Sequence, residues 1–107
     1  MIIAVDFDGT LCENKYPDIG SPNNELIQAL IKYRALGNKI ILWTCREGEN
    51  LTNAIIWCKK NNLHFDAIND NLKENKEFFK NNSRKVYANF YIDDKNCHIN
   101  DFIKLNE

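Results

Sequence analysis

Met1-Ile2-Ile3-Ala4-Val5-Asp6-Phe7-Asp8-Gly9-Thr10-Leu11 opens the chain and decides its fold. Ile2 to Val5 form an unbroken apolar run, mostly β-branched, that leads straight into two aspartates. An apolar run without alternation suits a strand buried on both faces, as in a parallel sheet covered by helices. Side chains alternate along a strand, so Asp6 and Asp8 are expected to leave on the same side. Gly9 permits a sharp exit there. The stretch thus delivers two carboxylates to the carboxyl end of a central strand, where open α/β sheets place their ligands. Two close like charges repel, and a bound cation would relieve the repulsion. Read alone, Asp-Gly is also an ordinary turn pair.

Outward from this strand the chain alternates helix and strand. Cys12 to Gly20 is polar and contains Pro17 and Gly20, the composition of a loop or small hairpin. Ser21 and Pro22 read as N-cap and first residue of a helix. Leu26, Ile27, Leu30 and Ile31 give that helix a buried stripe, and Gly37 ends it. Lys39 to Trp43 forms a second buried strand ending at Thr44-Cys45-Arg46, parallel to the first across a helical crossover. Leu51, Ala54, Ile55 and Cys58 mark the next helix, which stops near Asn61-Asn62. A short strand over 65–69, a helix over 72–81 and a fourth strand over 87–92 follow, the last ending in Asp93-Asp94. The tail over 98–105 is amphipathic. The expectation is an α/β fold: a three-layer, Rossmann-like, doubly wound parallel sheet of order 3-2-1-4 in one domain spanning 1–107.

Bulk properties narrow the function classes. A chain of 107 residues makes one domain and buries roughly two-thirds of its unfolded surface. Its net charge of −1, with both signs interspersed, lacks the basic stripe that duplex DNA requires. No apolar run approaches the roughly 20 residues of a membrane span. Residue 2 is expected to enter a strand already, which would leave no room for a signal peptide, and none is expected. Cys12, Cys45, Cys58 and Cys97 lie far apart and without zinc-like spacing. Two disulfides are arithmetically open to them, but without a secretion signal free thiols in a cytoplasmic protein are the expectation. His64 and His98 sit in no metal-like pattern.

Three strands therefore end in polar residues where a doubly wound sheet puts its site: Asp6 with Asp8, Thr44, and Asp93 with Asp94. Lys85 precedes the last strand. This order resembles that of the haloacid dehalogenase superfamily of phosphohydrolases, whose pattern is Asp-x-Asp-Gly-Thr, a strand ending in Thr or Ser, a Lys, and an acidic pair. The stretch 85–94, Lys-Val-Tyr-Ala-Asn-Phe-Tyr-Ile-Asp-Asp, is also similar to one found in small phosphatases of the superfamily. Val86 and Asn89 depart from that narrower pattern.

The resemblance implies a magnesium-dependent phosphomonoester hydrolase. Asp6 would be the nucleophile that forms an aspartyl-phosphate, and Asp8 the general acid and base. Thr44 and the backbone after it, at Cys45 and Arg46, would hold phosphoryl oxygens, with Arg46 reaching a second anionic group. Lys85 would neutralise the phosphoryl charge. Asp6, the Asp8 carbonyl, Asp93 and, more remotely, Asp94 would hold Mg2+, a cation that prefers oxygen ligands. Short segments after the first and third strands leave no room for a sizeable cap. An open site suits a phosphorylated macromolecular end, or a small phosphorylated molecule in a homo-oligomer that covers the mouth. The near-neutral charge disfavours nucleic acid. A receiver-type signalling domain uses similar parts, but there the acidic pair leads and the phosphorylated Asp follows. Phosphoryl transfer to an acceptor other than water, and a non-catalytic phosphate-binding module, stay open.

Overall fold

The computed structural model describes residues 1–70 and 88–93. Along the chain run β1 (Ile2–Val5), β2 (Cys12–Lys15), β3 (Asp18–Pro22), α1 (Asn24–Ala35), β4 (Lys39–Leu42), α2 (Gly48–Lys60), β5 (Ala67–Ile68) and β6 (Phe90–Ile92). β5, β4, β1 and β6 lie side by side in that order as a parallel sheet, while β2 and β3 pair antiparallel as a separate hairpin. The fold is α/β. The regions 72–81 and 98–105, and Tyr87 at the start of the fourth strand, lie outside the described residues.

The sheet explains the unbroken apolar run. Ile3 and Val5 join Phe7, Ile40, Leu42 and Ile92 on one face, packed with Leu26, Ile27 and Leu30 of α1 and with Ala54 and Cys58 of α2. Ala4 and Ile41 turn to the other face, beside Trp43, Ala67 and Tyr91. Residues of both phases are fully buried, so neither face of β1 tolerates polarity. Trp57 packs edge-on against Phe7, with ring centroids 5.4 Å apart.

Register aligns the carboxyl ends. Val5 stands opposite Leu42 on one side and Ile92 on the other. One step on, Trp43 N donates to Val5 O at 2.9 Å and Asp6 N to Ile92 O at 3.0 Å. The chain therefore leaves three neighbouring strands at one level, at Asp6, Trp43-Thr44 and Asp93.

The start of α1 differs from the expectation. Ser21 and Pro22 belong to β3, where Pro22 pairs with Cys12. Asn23 is the N-cap, and its side chain accepts from Leu26 N at 3.2 Å. Asn23 N is still held by Leu11 O at 2.8 Å, so the hairpin keeps the backbone extended through Pro22. Asn caps as well as Ser, and an edge position suits a residue without an N–H. The far end agrees with the reading: Gly37 takes φ +97° and donates to Arg34 O at 3.0 Å.

Candidate active site

The strand ends enclose a pocket of about 150 Å³ lined by Asp6, Trp43, Thr44, Cys45 and Asp93. Asp6 follows β1, and its Oδ1 accepts from the Phe7 N–H at 2.8 Å, which fixes the carboxylate against its own turn. Asp93 follows β6 and is only 9% exposed. Two carboxylates from adjacent parallel strands thus meet at one small concavity. A larger depression, about 200 Å³ and lined by Ile31, Arg34, Ala35, Asn62, Leu63 and His64, lies among the helix ends away from these groups.

Thr44 is positioned from two sides. Its N–H donates to Asn69 Oδ1 at 2.7 Å, and its Oγ1 accepts from Arg46 N at 3.2 Å. Asn69 in turn donates from its backbone to Leu42 O at 2.7 Å, with φ +51°. Its side chain continues β5 for one more bond and so sets where Thr44 stops. Asn69 was not among the expected site residues. The available signal was an Asn just past a strand, since Asn tolerates the left-handed region and offers a side-chain acceptor.

Asp8 has a different surrounding from Asp6. Strand pairing ends at Val5, and Phe7 O accepts from Thr10 N and Leu11 N, so the chain turns away within three residues. Asp8 does not line the pocket with Asp6. Its Oδ1 and Oδ2 accept from Nη2 and Nε of Arg46 at 2.7 and 2.8 Å.

Arg46 is 1% exposed. Besides Asp8 it donates through Nη1 to Pro17 O at 3.1 Å and Asn50 O at 3.3 Å, and through Nη2 to Asp18 O at 3.0 Å. Every guanidinium N–H therefore has an acceptor. Its carbon lies 4.9 Å from the Phe7 ring centre and 5.1 Å from that of Tyr16. The hydrogen bond to Asp8 raises the Arg46 pKa further above its ordinary value. The expected contact from Arg46 to a substrate anion is thus replaced by an internal one: the guanidinium is buried and its donors are occupied. A buried arginine is rare unless fully paired, and nothing in a single sequence announces one.

Cys45 is exposed at the pocket, whereas Cys12 and Cys58 are buried, and all three are free thiols. Burial raises the Cys12 pKa first, with the negative charges of Asp8 and Asp6 adding to it. His64 is exposed, as an ordinary surface residue would be. Lys85 and Asp94 lie outside the described residues.

Asp6 and Asp93 are the residues here that could hold a metal. Both are hard oxygen donors at one pocket, which fits a cation that keeps part of its water shell, as Mg2+ does. Among the described residues no cluster of three His, Cys, Asp or Glu side chains gathers, so a site of Zn type has no donor set there.

A solved conserved protein from Bacteroides thetaiotaomicron is 38% identical to this chain, the match covering 98% of this chain and 88% of that one, with a TM-score of 0.84. The chain belongs to that protein's family. A crystal structure of a structural-genomics target from Vibrio cholerae is similar at 25% identity, over 98% of this chain and 89% of that one, with a TM-score of 0.58. No protein-family model and no curated protein matches the chain. Among the described residues no helix is long and apolar enough to cross a membrane.

Proposed function

We propose that the protein is a magnesium-dependent phosphomonoester hydrolase that works through an aspartyl-phosphate on Asp6. The observation that carries this reading is the meeting of Asp6, Thr44 and Asp93, from three parallel strands, at one pocket. The order of these groups in the chain, with its resemblance to the haloacid dehalogenase superfamily, supplies the chemistry. The same reading takes the fold as a capless three-layer sheet of order 3-2-1-4, supported by the parallel β5-β4-β1-β6 arrangement. It places the enzyme in the cytoplasm, in keeping with three free thiols.

An oxygen of Asp6 attacks phosphorus while the bond to the leaving oxygen breaks, and Asp8, protonated on a lone pair that its two Arg46 bonds leave open, gives that oxygen its proton. Water then attacks the aspartyl-phosphate, and its proton passes to Asp8. Phosphate leaves and Asp6 is restored. Thr44 donates from its hydroxyl to a phosphoryl oxygen, and Lys85 offsets the remaining phosphoryl charge. Asp6, the Asp8 carbonyl and Asp93, with Asp94 as a more remote partner, would hold Mg2+, whose charge when bound would lower the repulsion between carboxylate and phosphate. The substrate is a phosphorylated small molecule or macromolecular end that reaches the open pocket, which a second copy of the chain would cover.

The test is hydrolysis of an aryl phosphate with Mg2+. Turnover is expected to stop in excess EDTA and to return with added Mg2+. Asp6→Asn should lower kcat by at least about 10³-fold. Undiminished turnover in EDTA, or in Asp6→Asn, overturns the reading. Phosphate passing to an added alcohol in preference to water would make the enzyme a phosphotransferase instead.

A further inference from the structure

Resting on the phosphohydrolase reading, we propose that Arg46 is a positioning residue that sets the direction of the Asp8 carboxylate and ties it to the β2–β3 hairpin. Three segments converge on this one guanidinium. Asp8 takes Nε and one Nη2 N–H as a planar fork, a geometry that fixes both oxygens at once. Pro17 O and Asp18 O, at the turn of the hairpin, take an N–H from each Nη. Asn50 O, in the first turn of α2, takes the remaining one. Tyr16 at the hairpin tip lies over the guanidinium and accepts from Asn50 Nδ2 at 3.3 Å.

Burial makes the link stiff. With Arg46 at 1% exposure, a displaced donor has no water to replace its acceptor, so the hairpin and Asp8 cannot shift independently without breaking buried charge-assisted bonds. Backbone pairing already joins the root of the hairpin to this loop, with Asp8 bridged to Cys12 and Gly9 N donating to Cys12 O at 2.9 Å. Arg46 adds the hold on the Asp8 carboxylate and on the hairpin turn. The seating of the hairpin therefore sets where the Asp8 oxygen lies relative to a leaving group at Asp6. An error of about 1 Å in such a group costs about 10²-fold in rate. Arg46 acts through Asp8 and touches no reacting atom.

A merely structural role and a positioning role differ in leaving-group dependence. Proton delivery matters for a poor alkoxide leaving group and little for dinitrophenolate. Arg46→Lys keeps the charge but loses the fork. It should lower kcat/KM on an alkyl phosphate by about 10²-fold and barely change it on 2,4-dinitrophenyl phosphate, as Asp8→Asn should. The double variant should be no worse than Asp8→Asn alone. Tyr16→Ala, at an exposed position, should give a weaker loss with the same preference. Equal losses on both substrates in Arg46→Lys, or additive losses in the double variant, overturn the proposal.

Hydrogen exchange provides a readout without turnover. Amides of residues 12–22 should exchange faster in both Asp8→Asn and Arg46→Lys, and unchanged exchange in Asp8→Asn overturns the tie between Asp8 and the hairpin. If wild-type protein hydrolyses no phosphate ester at all, the phosphohydrolase reading falls. The exchange result then upholds or overturns the tie by itself.

Discussion

Two arginine–aspartate pairs lie at opposite ends of the same sheet. At the carboxyl ends of the strands, Arg46 grips Asp8 at 2.7 Å, with side chains 1% and 17% exposed. At the amino ends, Arg34 grips Asp66 at 3.1 Å, with side chains 41% and 13% exposed. Asp66 leans on the backbone as well, since its Oδ2 accepts from Ile40 N at 2.8 Å. The pairing chemistry is shared, and the surroundings separate the two. The outer arginine has water as an alternative partner and the inner one has none. The Arg34–Asp66 pair clips α1 to the sheet, whereas the Arg46–Asp8 pair commits a loop, a hairpin and a helix to one arrangement.

The largest separation should come from deleting each arginine. Arg46→Ala leaves Asp8 and three carbonyls without their donors, and should destabilise by about 3–5 kcal/mol in urea unfolding. Asp66→Ala should cost about 1–3 kcal/mol, because it strips the acceptor from Ile40 N. Arg34→Ala should cost less than about 1 kcal/mol, and 1 M salt should erase most of that difference. Neither Asp66→Ala nor Arg34→Ala should change the leaving-group preference of turnover. Comparable losses for Arg46→Ala and Arg34→Ala would break the contrast.

A final test asks whether the two ends unfold as one. Helix α2 carries Asn50, beside Arg46, in its first turn and Cys58 near its far end, a thiol that burial pushes up to about 12 from an ordinary 9.0. The unfolded thiol ionises first as pH rises, so the native state loses stability between about 9 and about 12 and is unaffected below that window. Cys58→Ala should flatten this alkaline limb. Circular dichroism and hydrolysis should decline together along it if the sheet is a single cooperative unit.

The main sheet was legible because its strands are buried on both faces and their chemistry is written as apolar runs ending in acid or hydroxyl. Asp6, Thr44 and Asp93 follow from that pattern, since parallel strands in register release their next residues at one level. Asp8 was harder. Two-residue periodicity holds only while the strand lasts, and pairing stops at Val5. Ser21-Pro22 has the composition of a helix start, but Asn23 caps equally well and the hairpin's pairing decides between them. The role of Arg46 was invisible for a different reason. A charged residue two positions after Thr44 reads as facing ligand or solvent, and its burial depends on carbonyls at positions 17, 18 and 50 that carry no side-chain signature.

Gly20 shows how narrowly this arrangement can drift over generations. A Cβ there would stand 2.5 Å from Glu13 O and 2.6 Å from Glu13 Cβ, both on the facing strand. Even the smallest mutational step, to alanine, would wedge the ribbon open only two positions from the Asp18 carbonyl. A descendant that lost this glycine would have to rebuild the ribbon and its anchor together, so the position is one where inheritance has almost no room to wander.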